Sequence, residues 1–307
     1  MTVEEELAQV QPSREMCLTI GVFDGVHPGH QYLIKNVMER AARENRLSGV
    51  VTFDRHPNFL LNPASELPCL TSLEERVDIT KRLGIDYVVV LSFTHQLAQL
   101  TAREFVRLLH KHLRMRDLVV GPDFALGKGR EGNTDMLRSL GEELGFTVVV
   151  LSSVTTEGLV VSSTAIREHL RQGNVETVTK MLGRRFRMSG VVTHGDARGG
   201  AVLGFPTANL EVNSHHAVPA PGGYVTLAHV DGHTYRAVTN IGMRPTFGPG
   251  PRTVETHLLD FDGQLYGRDM SIEFVKRLRD ETKFDSPEDL KRQIESDVEV
   301  ARTMPIQ

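Results

Sequence analysis

Apolar residues in the first half of the chain alternate between a strand-like and a helix-like spacing. Short apolar runs rich in β-branched residues indicate five buried strands. These runs are Leu18–Phe23, Val50–Phe53, Tyr87–Leu91, Leu118–Val120 and Thr147–Leu151. Apolar residues recur with a 3.6-residue period after Pro28, from Leu73 to Leu83 and from Thr101 to Leu113, which predicts helices. Thr101 and Glu104 have the spacing of a capping box. Strand–helix alternation predicts an α/β domain with a Rossmann-like parallel sheet and helices on both faces.

The second half changes character after Leu182-Gly183, where the helical pattern stops. Strand-like segments separated by Gly and Pro follow at short intervals. They are Arg185–Thr193, Gly223–Val230, Thr234–Ile241, Thr253–Phe261 and Met270–Arg279. This spacing predicts a small antiparallel β-barrel. Ser286 as N-cap and Pro287 in the first turn predict a terminal helix that runs to about Ala301. We therefore place a domain boundary at 182/183, which gives domains of residues 1–182 and 183–307.

Composition narrows the class of protein and its compartment. The chain has 307 residues, enough for two domains, with 40% hydrophobic and 24% charged residues. Its net charge of −4 gives no reason to expect a nucleic acid or an anionic membrane as partner, although a mildly acidic protein can still bind nucleotides at a local site. A weak homo-oligomer stays open. Cys17 and Cys69 are its two cysteines, which fits a reducing compartment. The acidic N-terminus lacks the apolar region of a signal peptide, so we expect a cytoplasmic protein.

The stretch from Gly21 to His30, GVFDGVHPGH, joins the first predicted strand to the first predicted helix. A glycine-bearing turn at a helix start presents N–H groups and the positive end of the helix dipole, which bind phosphate. Pro28 suits the first helical turn, and Gly29 leaves room for a ligand to approach. His27 and His30 share a helix face and can donate hydrogen bonds to a polyphosphate. By residue type alone, two histidines near a glycine turn are usually ordinary surface or capping residues.

Two further motifs follow predicted strands of the same sheet. VTFDRHP carries His56 before Pro57, and it suits either an exposed loop or a functional site. VVGPDFALGKGREG, residues 119–132, has four glycines with Lys128 and Arg130. It predicts a flexible basic loop, suited either to a phosphorylated ligand or to solvent. Because ligands bind outside the carboxyl ends of parallel strands, both motifs lie where a ligand is expected.

The string VVSSTAIREHL, residues 160–170, begins another predicted helix. Ser162 or Ser163 can cap this helix, and capping alone accounts for the serines. Capping does not explain Arg167, which lies one turn further along. Two serines, Thr164 and this arginine together offer hydroxyls, N–H groups and a guanidinium to one anion.

Two strings in the second half carry candidate chemistry. GFPTANL, residues 204–210, offers oxygen atoms from Thr207 and Asn209, which suit Mg²⁺ held with phosphate and water. Taken alone, the string favours a polar turn that leads into a strand. VETHLLDF, residues 254–261, places Glu255, His257 and Leu259 on one strand face. Glu255 is then either an edge-strand charge or a general base at the mouth of the barrel.

Together these strings resemble the bifunctional bacterial riboflavin kinase/FMN adenylyltransferases, and the likeness runs from about residue 16 to residue 300. GVFDGVHPGHQ is similar to the HxGH signature of nucleotidylyltransferases, and SSTAIR to the SSTxIR element that faces it across the triphosphate. TFDRHP and VGPDFALGKGREG resemble two further motifs, from which Arg55, Ala125 and Leu126 depart. LGFPTANL, TNIGMRPTFG and ETHLLDFDGQLYG resemble the riboflavin kinase module, with departures at Gly199-Gly200-Ala201 and at Gly223.

The resemblance implies two ATP-dependent reactions that need Mg²⁺. The barrel would phosphorylate riboflavin to FMN, and the N-terminal nucleotidylyltransferase domain would convert FMN and ATP to FAD and pyrophosphate. The implied catalytic residues are His27, His30, Arg167 and Glu255, with Glu255 as the base for the riboflavin 5′-hydroxyl. The implied ATP- and phosphate-binding residues are Gly21, Phe23, Asp24, Gly25, Gly29, Ser162, Ser163, Thr164, Gly204 and Pro206. The implied flavin contacts are His56, Pro57, Asp123 and Phe124, and the implied metal ligands are Thr207 and Asn209.

Two other functions stay open on the sequence. A transferase for another phosphorylated acceptor, such as phosphopantetheine or nicotinamide mononucleotide, would share HxGH but would not need the barrel. A flavin-binding sensor, or a partly degenerate homologue that lacks one activity, would fit the departures at Ala125, Leu126 and Gly200. The presence of Thr207 and Glu255 favours the enzyme over the sensor.

Overall fold

A computed structural model of the chain describes residues 1–62, 67–152, 155–156, 159–194, 204–243 and 252–306. The chain divides into two compact units, Met1–Ser163 and Thr164–Gln307. Within the described ranges, no helix is long and apolar enough to cross a membrane.

A five-stranded parallel sheet forms the centre of the first unit. Its strands are β1 (Met16–Ile20), β2 (Leu47–Phe53), β3 (Tyr87–Leu91), β4 (Met115–Val120) and β5 (Thr147–Val150). Their order across the sheet is β3-β2-β1-β4-β5, and all the pairings are parallel. The predicted Rossmann-like sheet is therefore confirmed. The order reverses between β1 and β4, and the carboxyl ends of the strands at such a reversal form the usual ligand crevice of an α/β sheet.

Seven α-helices of the first unit are described, and apolar clusters that include helical residues lie on both faces of the sheet. The helices are α1 (Val3–Ala8), α2 (Pro28–Arg43), α3 (Asn58–Leu61), α4 (Leu73–Arg82), α5 (His95–Gln99), α6 (Ala102–His112) and α7 (Thr134–Leu144). Alternation along β1 sends Cys17 to a cluster with Val37 of α2, and Leu18 to a second cluster with Leu109 of α6. The capping box predicted at Thr101 is confirmed. The sequence analysis did not predict α1, α3 or α5, which are too short to show a 3.6-residue period, nor did it predict α7.

The second unit is a closed antiparallel barrel with helices at both ends of its sequence. The short pair β6 (Thr155–Thr156) and β7 (Leu159–Val160) belongs to the first unit, which ends at the first residue of α8 (Ser163–Arg171). The rest of α8 and the helix α9 (Val175–Leu182) precede the barrel in the second unit. The barrel strands are β8 (Arg187–Thr193), β9 (Ala208–Val212), β10 (Gly222–Val230), β11 (His233–Met243), β12 (Arg252–Leu258) and β13 (Asp269–Asp280). Their order around the barrel is β10-β11-β12-β9-β8-β13. The predicted barrel is confirmed. β9 was not among the predicted strand segments, although a polar turn leading into a strand was one interpretation of GFPTANL.

The terminal helix α10 (Pro287–Thr303) begins as the sequence predicts. The Ser286 hydroxyl accepts a hydrogen bond from the Asp289 N–H at 3.1 Å. Arg279 of β13 forms a 2.9 Å ion pair with the buried carboxylate of Asp297 on α10. At the other end of α10, the Arg236 guanidinium donates to the Met304 carbonyl, which satisfies an orphan acceptor of the helix end. The Arg279–Asp297 ion pair and the Arg236 hydrogen bond hold α10 against the barrel wall.

The division of the chain after Ser163 groups α8 and α9 with the barrel. Leu170 of α8 accepts a hydrogen bond from the Ala220 N–H at 3.0 Å, and Arg277 of β13 donates to the Gln172 carbonyl at 3.2 Å. The helix α9 ends at Leu182 with Gly183 in the left-handed region, as expected where the helical pattern stops. The boundary at 182/183 remains a prediction about which segments fold together.

Comparison of two barrel fragments tests that prediction. A fragment of residues 164–307 should unfold at a higher temperature than one of residues 183–307, because the shorter fragment lacks α9, whose buried apolar residues include Val178 and Met181. The expected loss is on the order of several kcal/mol, since each buried side chain contributes roughly 1.5–3 kcal/mol. Calorimetry of both fragments measures the difference. Equal stability would support the boundary at 182/183.

Candidate functional site

Two loops meet the edge of the sheet where the strand order reverses. The GVFDGVHPGH loop follows β1, and the loop of residues 121–132 follows β4, the neighbour of β1. Both loops thus leave the carboxyl ends of adjacent parallel strands, where α/β sheets bind ligands. The first of the two loops contains most of the candidate phosphate site.

The loop after β1 is compact and partly strained. Phe23 and Val26 have φ angles of 53° and 37°, and Gly25 has 83°. A positive φ is costly for a β-branched valine, and such strain persists only where the surroundings hold it. The side chains of Phe23, Val26 and His27 are buried. A Cβ on Gly21 would lie 3.1 Å from the Phe23 ring, so Gly21 gives this ring its space.

The Asp24 carboxylate anchors the loop to the segment before α4. It accepts hydrogen bonds from the Leu70 N–H at 2.9 Å and from the Thr71 N–H at 3.2 Å. The Gly25 N–H donates in turn to the Thr71 hydroxyl at 3.1 Å. The sequence analysis predicted that Asp24 and Gly25 contact phosphate. The structure places both on protein groups that fix the shape of the loop.

His27 and His30 lie side by side at the start of α2. His27 is the N-cap, and its Nδ1 accepts the His30 N–H at 3.4 Å. Because Nδ1 is the acceptor, a neutral His27 ring carries its proton on Nε2. The two rings stack with centroids 3.7 Å apart, and the Phe23 ring meets His30 edge-on at 5.3 Å. A Cβ on Gly29 would lie 3.2 Å from the His27 ring, so the room that Gly29 leaves is used by this imidazole.

The His30 ring is held neutral by its surroundings. Burial lowers the pKa of His30 well below its usual value of 6.5, and the positive charges of His27 and Arg76 act in the same direction. His30 Nδ1 is buried and has no hydrogen-bond partner among the described residues. A neutral imidazole that carries its proton on either nitrogen can still donate one hydrogen bond to a phosphate oxygen.

Helix α8 begins beside the same loop. The hydroxyl of Ser163, its first residue, donates to the Asp24 carbonyl at 2.9 Å. The structure therefore brings the start of the SSTAIR string to the GVFDGVHPGH loop, as the resemblance implies. Ser162 directly precedes α8, and Thr164 and Arg167 follow within the helix.

The candidate flavin residues after β2 form a turn that opens α3. The His56 Nδ1 accepts the Asn58 N–H at 3.1 Å, and its ring lies 6.4 Å from that of Phe59. Pro57 precedes the first residue of α3. Arg55, which replaces the proline of the similar motif, forms an exposed 3.3 Å ion pair with Asp54.

The loop after β4 is more ordered than the predicted flexible loop. Leu126 and Gly132 form a pair of main-chain hydrogen bonds at 3.1 and 2.9 Å, and the Lys128 N–H donates to the Leu100 carbonyl. Arg130 donates to the Asp123 carbonyl at 3.1 Å. Leu126 is buried, and Phe124 packs against the same core. The departure at Leu126 thus supplies a core side chain, and nothing in the structure explains Ala125.

Polar residues form a row across four strands of the barrel. Asn209 of β9 lies directly opposite Glu255 of β12, and Asn240 of β11 is the partner of Glu255 on its other side. Thr193 of β8 is the partner of Asn209. Opposite residues on antiparallel strands have Cβ atoms about 4.5–5.5 Å apart, so the Glu255 carboxylate and the Asn209 amide are neighbours. All four residues are partly exposed.

The next residue on the same face of β12 holds the turn that carries the predicted metal ligands. The His257 Nδ1 donates to the Pro206 carbonyl at 2.8 Å, and the Phe205 ring meets the His257 ring edge-on at 5.4 Å. Thr207 lies between this turn and Asn209, immediately before β9. Gly204 has a φ of 86°, with open space where a Cβ would be. Gly200 and its neighbours lie outside the described residues.

Sequence reasoning missed two residues that shape these sites. Arg76 of α4 is buried, and its guanidinium donates to the main-chain carbonyls of Val22 and Phe53. Arg76 lies on the same helix face as the apolar residues Ile79 and Leu83. A charged residue on that apolar face was the sequence signal that could have indicated its buried position. The strand alternation predicted that His257 lies on the same face as Glu255, but nothing in the sequence indicated its hydrogen bond to the Pro206 carbonyl.

Titration of the protein should show a His30 ring that is still neutral at pH 6.5. Its ring signals in histidine-labelled NMR spectra should move only at lower pH, and His30→Gln identifies them. Because the unfolded chain protonates this histidine first, stability should fall as pH drops below 6.5, by up to about 1.4 kcal/mol per pH unit. His30→Gln should lose less stability over that range. Half-titration of His30 at pH 6.5 would contradict the buried, neutral ring.

Both halves of the chain match described protein families. The FAD synthetase family matches residues 9–165, and the riboflavin kinase family matches residues 182–305. The bifunctional riboflavin kinase/FMN adenylyltransferase of Pseudomonas fluorescens is 38% identical and covers 99% of this chain and 98% of its own. That of Escherichia coli (strain K12) is 38% identical, with 95% and 94% covered, and that of Bacillus subtilis (strain 168) is 35% identical, with 92% and 90% covered.

A solved structure shares the whole fold. The crystal structure of a protein named as a macrolide-efflux protein from Streptococcus pneumoniae superimposes with a TM-score of 0.87 at 31% identity, covering 97% of each chain. The two family matches, the near-complete coverage of the relatives and the two sites described above agree with one another. The chain belongs to the family of bifunctional riboflavin kinase/FMN adenylyltransferases.

Proposed function

We propose that the two activities of this bifunctional enzyme use two separate sites, one at the edge of the parallel sheet and one on the barrel. The barrel transfers the γ-phosphoryl group of ATP to riboflavin and yields FMN. The unit with the parallel sheet transfers the adenylyl group of a second ATP to FMN and yields FAD and pyrophosphate. The observation that carries the adenylyl assignment is the stacked His27–His30 pair at the start of α2, with Ser163 bound to the same loop.

The adenylyl site acts by positioning and charge stabilisation. A phosphate oxygen of FMN attacks the α-phosphorus of ATP, and the bond to pyrophosphate breaks. His27 and His30 donate hydrogen bonds to phosphate oxygens, and negative charge grows on the leaving group during the step. Ser162, Thr164 and Arg167 are proposed as further phosphate donors at the start of α8. The FMN phosphate is already ionised at neutral pH, so this step needs no general base.

The flavin of this step is proposed to contact the residues that follow β2 and β4. His56 and Pro57 supply the first contact, and Asp123 and Phe124 the second. Support comes from their places in loops at the carboxyl edge of the sheet. No cysteine nucleophile is invoked, since burial raises the pKa of the Cys17 thiol to about 12.

The kinase site uses Glu255 as its base. Glu255 takes the proton of the riboflavin 5′-hydroxyl, the oxygen attacks the γ-phosphorus, and ADP leaves. Support comes from the place of Glu255 in the polar row, directly opposite Asn209. Gly204 and Pro206 shape the adjoining turn, which His257 fixes from β12.

Magnesium is proposed as the metal of the kinase site, held by Thr207 and Asn209. Hydroxyl and amide oxygens are ligands that Mg²⁺ accepts together with phosphate and water. The described residues contain no group of three His, Cys, Asp or Glu that could hold a metal alone, so phosphate and water would supply most ligands. When bound, the ion offsets negative charge on the ATP phosphates.

We propose the cytoplasm as the compartment, because both cysteines are free thiols and ATP is a substrate.

Removal of the His30 imidazole tests the adenylyl site. His30→Ala should lower the rate of FMN-to-FAD conversion on the order of 10²–10³-fold, the usual cost of one donor to developing charge. Chromatography of flavins gives the rate. The riboflavin-to-FMN rate of the same sample is the control and should be unchanged. FAD synthesis within about tenfold of wild type would exclude His30 from this role.

Replacement of the Glu255 carboxylate tests the kinase site. Glu255→Gln keeps the size of the side chain but removes the base, so FMN formation should fall by roughly 10²–10⁴-fold. FAD formation from supplied FMN should stay near the wild-type rate. Loss of both activities in a folded variant would indicate a single shared site. Loss of neither would leave Glu255 as a charge on a strand face.

A further inference from the structure

Arg76 links the two loops that leave β1 and β2. Its side chain is 4% exposed, and its guanidinium donates to the Val22 carbonyl at 2.8 Å and to the Phe53 carbonyl at 2.6 Å. Val22 lies just beyond the end of β1, and Phe53 is the last residue of β2. One rigid, planar group therefore spans the carboxyl ends of two neighbouring parallel strands.

The burial of this cation is costly for folding. Burial lowers the pKa of the Arg76 guanidinium, and the nearby Asp24 carboxylate opposes that shift. Apolar residues of similar volume can replace many buried charges with little loss of stability. A guanidinium at this point instead supplies two directed hydrogen bonds, which an apolar side chain cannot supply.

A second set of contacts holds the loop after β1. They come from residues 70 and 71, which lie just before α4. Asp24 accepts the N–H groups of Leu70 and Thr71, and the Thr71 hydroxyl accepts the Gly25 N–H. The segment of residues 70–76 thus forms hydrogen bonds with the loop at Val22, Asp24 and Gly25. We call these contacts the α4 clamp.

The two loops joined by Arg76 carry different proposed substrates. The loop after β1 leads to His27 and His30, the proposed donors to ATP phosphates. The chain after Phe53 leads to His56 and Pro57, the proposed flavin contacts. Adenylyl transfer requires the attacking FMN oxygen to lie about 3–3.5 Å from the α-phosphorus and in line with the leaving group.

We infer that Arg76 is a positioning residue for FAD synthesis, which aligns the FMN loop with the ATP loop by holding the ends of β1 and β2 together. The inference rests on the proposed assignment of ATP and FMN to these loops. Arg76 itself touches main-chain carbonyls and acts on the substrates through the loops. Each substrate keeps its own binding groups when Arg76 is changed, but their mutual alignment is lost.

Arg76→Met keeps the length of the side chain and removes both hydrogen bonds. Its kcat for FMN-to-FAD conversion should fall on the order of 10²-fold, the usual consequence of a misplacement of about 1 Å. The KM values for ATP and FMN should stay within about threefold, because the binding groups remain. Arg82→Met on the same helix is the matched control, since Arg82 is exposed and pairs with Asp78. It should retain wild-type kinetics.

Two measurements separate positioning from loss of folded protein. Calorimetric titration with FAD counts intact adenylyl sites, and it should give wild-type stoichiometry for Arg76→Met. Arg76→Lys, which keeps the charge and a shorter donor, should recover part of the lost kcat. A stoichiometry that falls in step with kcat would show a purely structural role and overturn the inference, as would an unchanged kcat.

The wild-type enzyme separates failure of this inference from failure of the proposed function. If the wild-type protein makes FMN but no FAD, the proposed assignment of ATP and FMN to the two loops is wrong, and the inference about Arg76 falls with it. Wild-type FAD synthesis with an unaffected Arg76→Met variant would leave the proposed function standing and exclude Arg76 as its positioning residue. The riboflavin-to-FMN rate of every sample reports the state of the barrel.

Discussion

Main-chain polar groups at the carboxyl end of β1 must find partners after the strand leaves the sheet, and this constraint organises the adenylyl half of the enzyme. Buried carbonyl and N–H groups without a partner are costly. Here the Val22 carbonyl accepts the Arg76 guanidinium and the Thr52 hydroxyl, and the Asp24 carbonyl accepts Ser163. Satisfying these groups with side chains from α4, β2 and α8 also fixes the loop that carries His27 and His30.

In the barrel, the alternation of side chains along each strand separates a buried face from the face that carries the site residues. Val254, Thr256 and Leu258 of β12 are buried, and the hydroxyl of Thr256 continues a buried chain of threonine hydroxyls on neighbouring strands at 2.8 and 3.0 Å. The opposite face of the same strand presents Glu255 and His257. The register of the closed sheet thus brings a carboxylate, an amide and a turn-fixing imidazole into line.

The sequence predicted the architecture well because its signals are local. The alternation of strands and helices, the capping box at Thr101, the start of α10 at Pro287 and the alternation around Glu255 each depend on short-range periodicity or cap chemistry. The protein partners of Asp24 and of the loop after β4 could not be predicted, because the Asp24 carboxylate accepts an amide 46 residues away and the Lys128 N–H donates to the Leu100 carbonyl. Such partners are set by tertiary packing. Arg76 was missed for the same reason.

The central claim is that one chain carries two separate sites that act in sequence on the same flavin. The most direct measurement is a time course of the wild-type protein with riboflavin, ATP and Mg²⁺, in which flavins, ADP and pyrophosphate are all separated and counted. The account predicts that FMN rises before FAD, with one ADP for every flavin phosphorylated and one pyrophosphate for every FAD. Riboflavin that binds tightly but remains unconverted would contradict the account.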